Sequence, residues 1–283
     1  HAVRQAADEG RFDALIFFSY RYWTTCRSLV PSRTPTILAP TAEDDGLYRL
    51  SLFRPVFEAA TQFAFNSVEE RAMLEGAVGH PLPGLIVGVG SDLPQRADGA
   101  AFRQRFGIEG PFLLYVGRID LNKGCPELFD HFLRYKADTG SNLGLVLIGR
   151  AVLDIPKDPS VHALGFLPDS DKWDALDASL ALAIPSRLES LSMATLEAFH
   201  ARRPVIANAH CAVLRGQCRR SGGGLYYAEY DEFREIVSLL ESDAALRARM
   251  GEGGHAYFEA NYAWPVIREK YERLIADARR AAA

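Results

Sequence analysis

Leu180-Ala-Leu-Ala-Ile-Pro-Ser-Arg-Leu-Glu-Ser-Leu-Ser-Met-Ala-Thr-Leu-Glu-Ala-Phe-His200 is the stretch that decides the fold. The apolar run Leu180 to Ile184 reads as a buried strand, and residues from about Leu191 to Ala201 read as a helix. Ser190 and Ser192 are both suitable N-caps for that helix. Glu189 then stands at the mouth of a strand-to-helix turn. Glu197, with seven residues between, lies about 12 Å further on at 1.5 Å per residue.

The same alternation runs outward in both directions. Strand candidates are Ala14–Phe18, Thr36–Leu38, Gln62–Asn66, Leu85–Val89, Phe112–Val116, Leu145–Ile148, Val161–Ala163, Val205–Ala207 and Leu225–Tyr227. Helical stretches lie between them, such as Glu127–Ala137 with the apolar stripe Leu128, Phe129, Phe132 and Leu133. Continuous apolar strands alternating with helices mean parallel sheets covered on both faces, so the fold class is α/β. The polar stretch Asp92 to Gly99 reads as a linker. It gives an incomplete first domain over 1–93, a second over 94–258, and a closing helical segment over 259–283 in which Pro265 suits a first helical turn. The chain opens on His1 with a surface-helix pattern over its first twelve residues, so the start of the first domain is expected to be missing.

Composition narrows the function classes. With 283 residues, 48% of them hydrophobic, the chain can bury one large core or two smaller ones. A net charge of −4 and a pI near 6.0 argue against nucleic acid as a partner. No apolar stretch approaches a membrane span and no secretory leader is visible. The expectation is a cytoplasmic protein, with peripheral contact at the inner membrane face left open. Cys26, Cys125, Cys211 and Cys218 lack paired spacing and read as ordinary thiols. His80, His131, His162, His200 and His255 share no spacing and read as structural, and no Asp-x-Asp pair sits at a strand end, so no metal site is expected.

A second constellation is Tyr115-Val-Gly-Arg-Ile-Asp-Leu-Asn-Lys-Gly-Cys125, between a buried strand and a helix. Its loop leaves the carboxyl end of a parallel strand, where ligands bind in open α/β sheets. Gly117 and Gly124 allow close backbone approach, and Arg118 and Lys123 offer a donor fork and a point charge suited to pyrophosphate. A cationic loop, a carboxylate beside helix-end N–H groups and a second carboxylate beyond suit a ligand with hydroxyls at both ends and phosphate between. A nucleotide sugar has that layout.

Gly-Arg-x4-Lys-Gly, then Pro-Ser-x2-Glu-x7-Glu, then Arg203-Pro-Val-Ile-Ala207 resemble, in order and spacing, the donor half of a retaining glycosyltransferase of family four with the GT-B fold. The resemblance spans roughly residues 85 to 275. It implies two Rossmann-like domains facing a cleft, a nucleotide-diphosphate sugar as donor, and a carbohydrate, lipid-linked or small-molecule acceptor. It implies further that Arg118 and Lys123 hold the donor diphosphate, that Glu189 contacts the transferred sugar, and that these three form the catalytic set. Glu197 would bind the ribose hydroxyls, and Gly117, Ser190, Leu191 and Ser192 would face sugar and phosphates. The Gly165-Phe166-Leu167 turn would border the base, and the last helix would cross back to the first domain. No cofactor or metal is implied, since the two cations would carry the charge that a divalent ion carries elsewhere.

Two positions depart from the pattern. Relatives usually carry Gly where Ser192 stands, and commonly His-Asp where Pro40-Thr-Ala-Glu-Asp-Asp45 stands, which puts Glu43 in the place of a histidine expected to reach the donor sugar. Glu43, Ser19 at the first strand's end, and Arg215 in the Leu214–Gly224 stretch, read as a loop, are further candidates for cleft contacts. The leading expectation is glycosyl transfer in glycan, polysaccharide or glycoconjugate synthesis. A module that binds the nucleotide sugar without turning it over is the first alternative. A dinucleotide-dependent oxidoreductase, suggested by Gly88-Val-Gly90, is the second; the third glycine of that pattern is absent.

Overall fold

A computed structural model describes residues 12–91 and 96–282. Residues 1–11, which the sequence reads as a helix, and residues 92–95 of the linker reading lie outside the described part. The chain forms two compact units: 1–90 with 189–191 and 261–283, and 91–188 with 192–260.

The first unit carries a parallel sheet of β1 (Leu15–Phe18), β2 (Thr36–Ala39), β3 (Gln62–Phe65) and β4 (Gly84–Ile86) in that order. Its helices are α1 (Trp23–Ser28), α2 (Arg54–Ala59), α3 (Val68–Val78) and, from the chain's end, α11 (Trp264–Ala282). Phe17, Leu38, Phe63, Phe65 and Leu74 meet in its core. Helix α3 starts where Ser67 accepts from the Glu70 N–H at 3.1 Å, the usual device for a first turn with orphan donors. Helix α11 buries Ile267, Leu274 and Ala278, spaced by seven and four residues, and packs on β2, β3 and β4. Gly88 and Gly90 make room for it: a Cβ there would sit 2.5 Å from the Tyr262 ring and 2.7 Å from the Trp264 ring. The two glycines that suggested a dinucleotide loop are therefore packing glycines, and β4 ends at Ile86 rather than Val89.

The second unit holds six parallel strands: β5 (Phe112–Val116), β6 (Gly144–Ile148), β7 (Val161–Gly165), β8 (Ala181–Ile184), β9 (Val205–Asn208) and β10 (Gly224–Tyr227). Their spatial order is β10-β9-β8-β5-β6-β7. The chain builds outward from β5 in one direction, then returns to β8 and builds the other way. A crevice opens where such an order reverses, between β5 and β8. Helices α4 (Gly99–Phe106), α5 (Cys125–Thr139), α6 (Asp169–Ala178), α7 (Met193–His200), α8 (Ala212–Ser221), α9 (Tyr230–Ser242) and α10 (Ala244–Asn261) complete the unit. Leu128, Phe129 and Phe132 of α5 pack on Leu113, Leu145 and Leu147 of the sheet. Each such side chain contributes about 1.5–3 kcal/mol by leaving water.

One element was misread from the sequence. The stretch Leu214–Gly224 is not a loop, because residues 212–221 form α8. Val213, Leu214, Gln217 and Cys218 are its buried face, and Gln217, fully buried, disguises the helical period. Arg219 and Arg220 fall in its last turn, away from the carboxyl end of β9.

Candidate functional site

The site begins at the reversal point of the second sheet. Leu113 and Leu114 of β5 pair in register with Ala181 and Leu182 of β8, so the 117–124 and 185–192 loops leave neighbouring strand tips. These loops touch. Gly124 has φ +73°, and a Cβ on it would meet the Pro185 carbonyl oxygen at 2.3 Å. Gly149, after β6, is as tight: its Cβ would lie 1.9 Å from the Gly117 oxygen, while its N–H donates to Gly165 O at 2.8 Å. Gly117, Gly124 and Gly165 thus belong to one backbone rim crossing the tips of β8, β5, β6 and β7. Only glycine fits at 124 and 149.

Within the 117–124 loop, buried Asp120 is the organiser. One of its oxygens accepts the Lys123 backbone N–H at 2.8 Å, and the other is ion-paired with Arg118 Nε. Tyr115 donates its hydroxyl to Arg118 O at 2.7 Å. The Arg118 side chain is 59% exposed, so a ligand can reach it without unpacking the loop.

Glu127, in the first turn of α5, ties three tips together. It accepts from Arg187 at 2.8 Å and from the Asn208 amide at 2.8 Å, and the same amide reaches Pro185 O at 3.1 Å. The hydrogen bond and charge of Glu127 raise the pKa of Arg187. Asn208 is fully buried and uses its carbonyl oxygen to accept from the His210 N–H at 2.9 Å.

Ser192, not Ser190, caps α7, and its backbone is the unusual part. It sits at φ +68° and ψ 91°, a region that side chains avoid, while its Oγ accepts from the Thr195 N–H at 3.4 Å. Glycine would adopt this conformation freely. Glu197, one turn into α7, is buried and accepts from Lys172 Nζ at 2.7 Å. Burial holds the Glu197 carboxyl above its ordinary range against the pull of Lys172. Burial also opposes the charge on Lys172, but the hydrogen bond and charge of Glu197 outweigh it and raise its pKa. Lys172 follows the Gly165-Phe166-Leu167 turn on α6, and Phe166 of that turn is 84% exposed.

Glu189, Ser190 and Leu191 group with the first unit. There, two further candidates lie at neighbouring strand tips: Ser19 after β1, with φ +60°, and half-buried Glu43 after β2, two residues past Thr41 with φ +51°. Glu70 lies beneath, buried, accepting the Ala42 N–H at 2.5 Å and the Asn66 N–H at 2.6 Å. Arg215 projects from α8 and donates to Ala209 O at 3.3 Å. Asp120, Glu127, Gly149, Lys172 and Asn208 were not singled out from the sequence. Asp120 lies inside the quoted loop, and a carboxylate two residues from an arginine was the available signal.

Residues 100–256, more than half of the chain, match the family described as glycosyl transferases group 1. The chain belongs to that family. Alpha-D-kanosaminyltransferase of Streptomyces kanamyceticus is 25% identical over 221 residues, 71% of this chain and 55% of that protein. A glycosyltransferase 1 domain-containing protein of Xenopus tropicalis is 27% identical over 118 residues, 41% of this chain and 33% of its own length. A GDP-mannose-dependent mannosyltransferase of Corynebacterium glutamicum is 28% identical over 123 residues, 41% of this chain and 32% of that one. The chain thus spans about a third to about half the length of these relatives. Among solved structures, sucrose-phosphate synthase of Thermosynechococcus elongatus superposes with a TM-score of 0.76 at 17% identity, covering 95% of this chain and 75% of that one. Anabaena HepE in complex with UDP-glucose gives 0.79 at 16% identity, covering 97% and 81%. The fold of this group 1 glycosyltransferase is GT-B, an α/β fold with two parallel sheets. No helix among the described residues is long and apolar enough to cross a membrane.

Proposed function

We propose that this chain belongs to an enzyme that moves a sugar from a nucleoside diphosphate to an acceptor hydroxyl with retention at the anomeric carbon, and that it falls in family four of these enzymes. The observation that carries the reading is the contact of Gly124 with Pro185 at the reversal point of the second sheet. It joins a loop with two cations to a loop that opens into a helix N-terminus, at the place where α/β sheets take nucleotides.

In this reading Arg118 and Lys123 bind the diphosphate and stabilise the charge that develops as it leaves. The acceptor hydroxyl attacks on the face the diphosphate vacates, and no side chain need act as nucleophile. Glu197 receives the ribose hydroxyls, with Lys172 holding its carboxylate charged and in place. Glu189 faces the transferred sugar, and the Gly165–Leu167 turn borders the base. The two loop cations supply the charge for departure, so transfer proceeds without a divalent ion and persists in EDTA. Named donors among the relatives differ in base, GDP-mannose in one and UDP-glucose in another, so the base is a matter for titration.

Thermal-shift titration with UDP, GDP, ADP and dTDP sugars tests the binding half, since a ligand of the native state raises its melting temperature. A radiolabelled donor with the complete protein tests the transfer half. A second reading, binding without transfer, rests on Glu43 standing where relatives place histidine. Saturable donor binding with no label released to any acceptor would favour that reading; no shift with any donor would remove both.

A further inference from the structure

The end of α7 and one face of α10 place three metal-binding side chains together, away from the loops described above. His255 and Glu259 are four residues apart on α10 and so share a face. His200 is the last residue of α7. One ligand atom from each of the three lies within 4.8 Å of the other two, and His200 Nδ1 is 3.6 Å from Glu259 Oε1.

We propose that His200, His255 and Glu259 bind one zinc ion, with water in the fourth position, and that the ion fastens α7 to α10. Two imidazoles and a carboxylate form a donor set suited to zinc, whereas magnesium and calcium take oxygen ligands. His255 Nδ1 lies 2.9 Å from the His200 carbonyl oxygen. As donor there, it leaves the Nε2 lone pair outward, the arrangement of most metal-bound histidines. His200 Nδ1 is buried and makes no contact of hydrogen-bond length among the described residues, its 3.6 Å approach to Glu259 being too long for one, so a coordinating ion between the two would satisfy it. Trp173 meets the His200 ring edge-on at 5.9 Å, and Phe258 lies at 5.2 Å, which fixes its orientation. Arg202, whose charge acts on His200, is ion-paired with Glu252 at 2.9 Å. Tetrahedral ligands at about 2.1 Å from zinc are about 3.4 Å from one another, so no separation need close by more than about 1.4 Å.

The site stands apart from the donor reading. The test uses the chain without a histidine tag, titrated with zinc against a fluorescent chelator and, separately, with cobalt, whose visible absorption reports tetrahedral nitrogen and oxygen ligation. The expected result is one equivalent bound, a rise in melting temperature with zinc but not with magnesium, and cobalt bands of a four-coordinate site. His255→Gln and Glu259→Gln are both on the accessible face of α10 and should weaken binding at least 10–100-fold, the order that even an outer-shell loss costs. His200→Ala should abolish it. Substoichiometric binding by the parent chain, or unchanged affinity in both α10 variants, which would put the ion on other residues such as the Cys211 and Cys218 thiols, overturns the proposal.

Discussion

The strand tips of the two units solve opposite problems. In the second unit, carboxylates hold cations: Asp120 anchors Arg118, Glu127 anchors Arg187, and Glu197 is matched by Lys172. In the first unit, buried Glu70 holds only backbone, the N–H groups after β2 and β3. One edge is thus a set of charges kept aimed and partly compensated, ready for an anion. The other centres on a buried carboxyl that fixes two loops, with an ion pair, Arg21 to Asp45 at 2.6 Å, beside it. Chemistry should follow the first and folding the second.

The sharpest way to break that contrast is Lys123→Ala. If the 117–124 loop stabilises departing diphosphate, turnover should fall about 10²–10³-fold, the cost of removing one donor to developing charge. The loop backbone should persist in the variant, because Asp120 accepts the backbone N–H of residue 123, so the loss in rate should exceed any loss in stability. Steady-state rates beside a denaturant melt separate the two effects; a melt that drops with the rate would make the lysine structural.

Glu70→Ala is the converse experiment. It leaves two buried N–H groups unpaired, at about 1–3 kcal/mol each, so the first unit should lose about 2–6 kcal/mol. The wild-type carboxyl also sets a pH dependence. Burial pushes its pKa from 4.5 to about 8, against the hydrogen bonds from Asn66 and Ala42. An acid whose folded pKa is raised contributes fully below its unfolded pKa and loses that contribution as pH climbs through the folded one. Stability from this group should therefore decline between about pH 4.5 and pH 8, then level off. Chemical denaturation across that range, with Glu70→Gln as the non-titrating control, measures it; a parallel slope in the Gln variant assigns the effect elsewhere.

The contrast also explains what could be read without coordinates. Strands buried on both faces write themselves as unbroken apolar runs, and nearly all begin and end within a residue or two of that reading. Helix α8 hid because its buried face includes Gln217 and its exposed face gathers arginines and Gly216. Loop motifs were legible because glycine, arginine and lysine are local requirements of a phosphate cradle. Their partners were not: Lys172 is 25 residues from Glu197, and Asn208 is 81 from Glu127. Only the sheet order makes such residues neighbours, and no local spacing encodes it.

Glu127 offers a finer cut within the second unit. Its bond to Asn208 is buried on one side and should be worth about 1 kcal/mol. Its pair with Arg187 is half in water, the arginine side chain being 57% exposed, and should be worth less than about 1 kcal/mol. Double-mutant cycles for the two pairs should rank them in that order. A larger coupling to Arg187 would mean that the arginine braces the rim rather than lying over it.

The smallest effect concerns Ser192, where sequence and backbone disagree. A side chain at φ +68° costs about 1–2 kcal/mol. Ser192→Gly removes that strain but gives up the cap, a few tenths of a kcal/mol, and gains unfolded-chain entropy worth about 0.4–1 kcal/mol. The balance is between zero and about 1 kcal/mol in favour of glycine. Ser192→Ala keeps the strain and loses the cap, so it should cost about 0.5–2 kcal/mol. The serine hydroxyl therefore compensates the strain it creates, through its contacts with the Thr195 N–H and, at 3.0 Å, the Thr195 hydroxyl. Melting both variants side by side decides the point: glycine should hold or raise the midpoint while alanine lowers it, and equal losses in the two would mean that the serine backbone is unstrained.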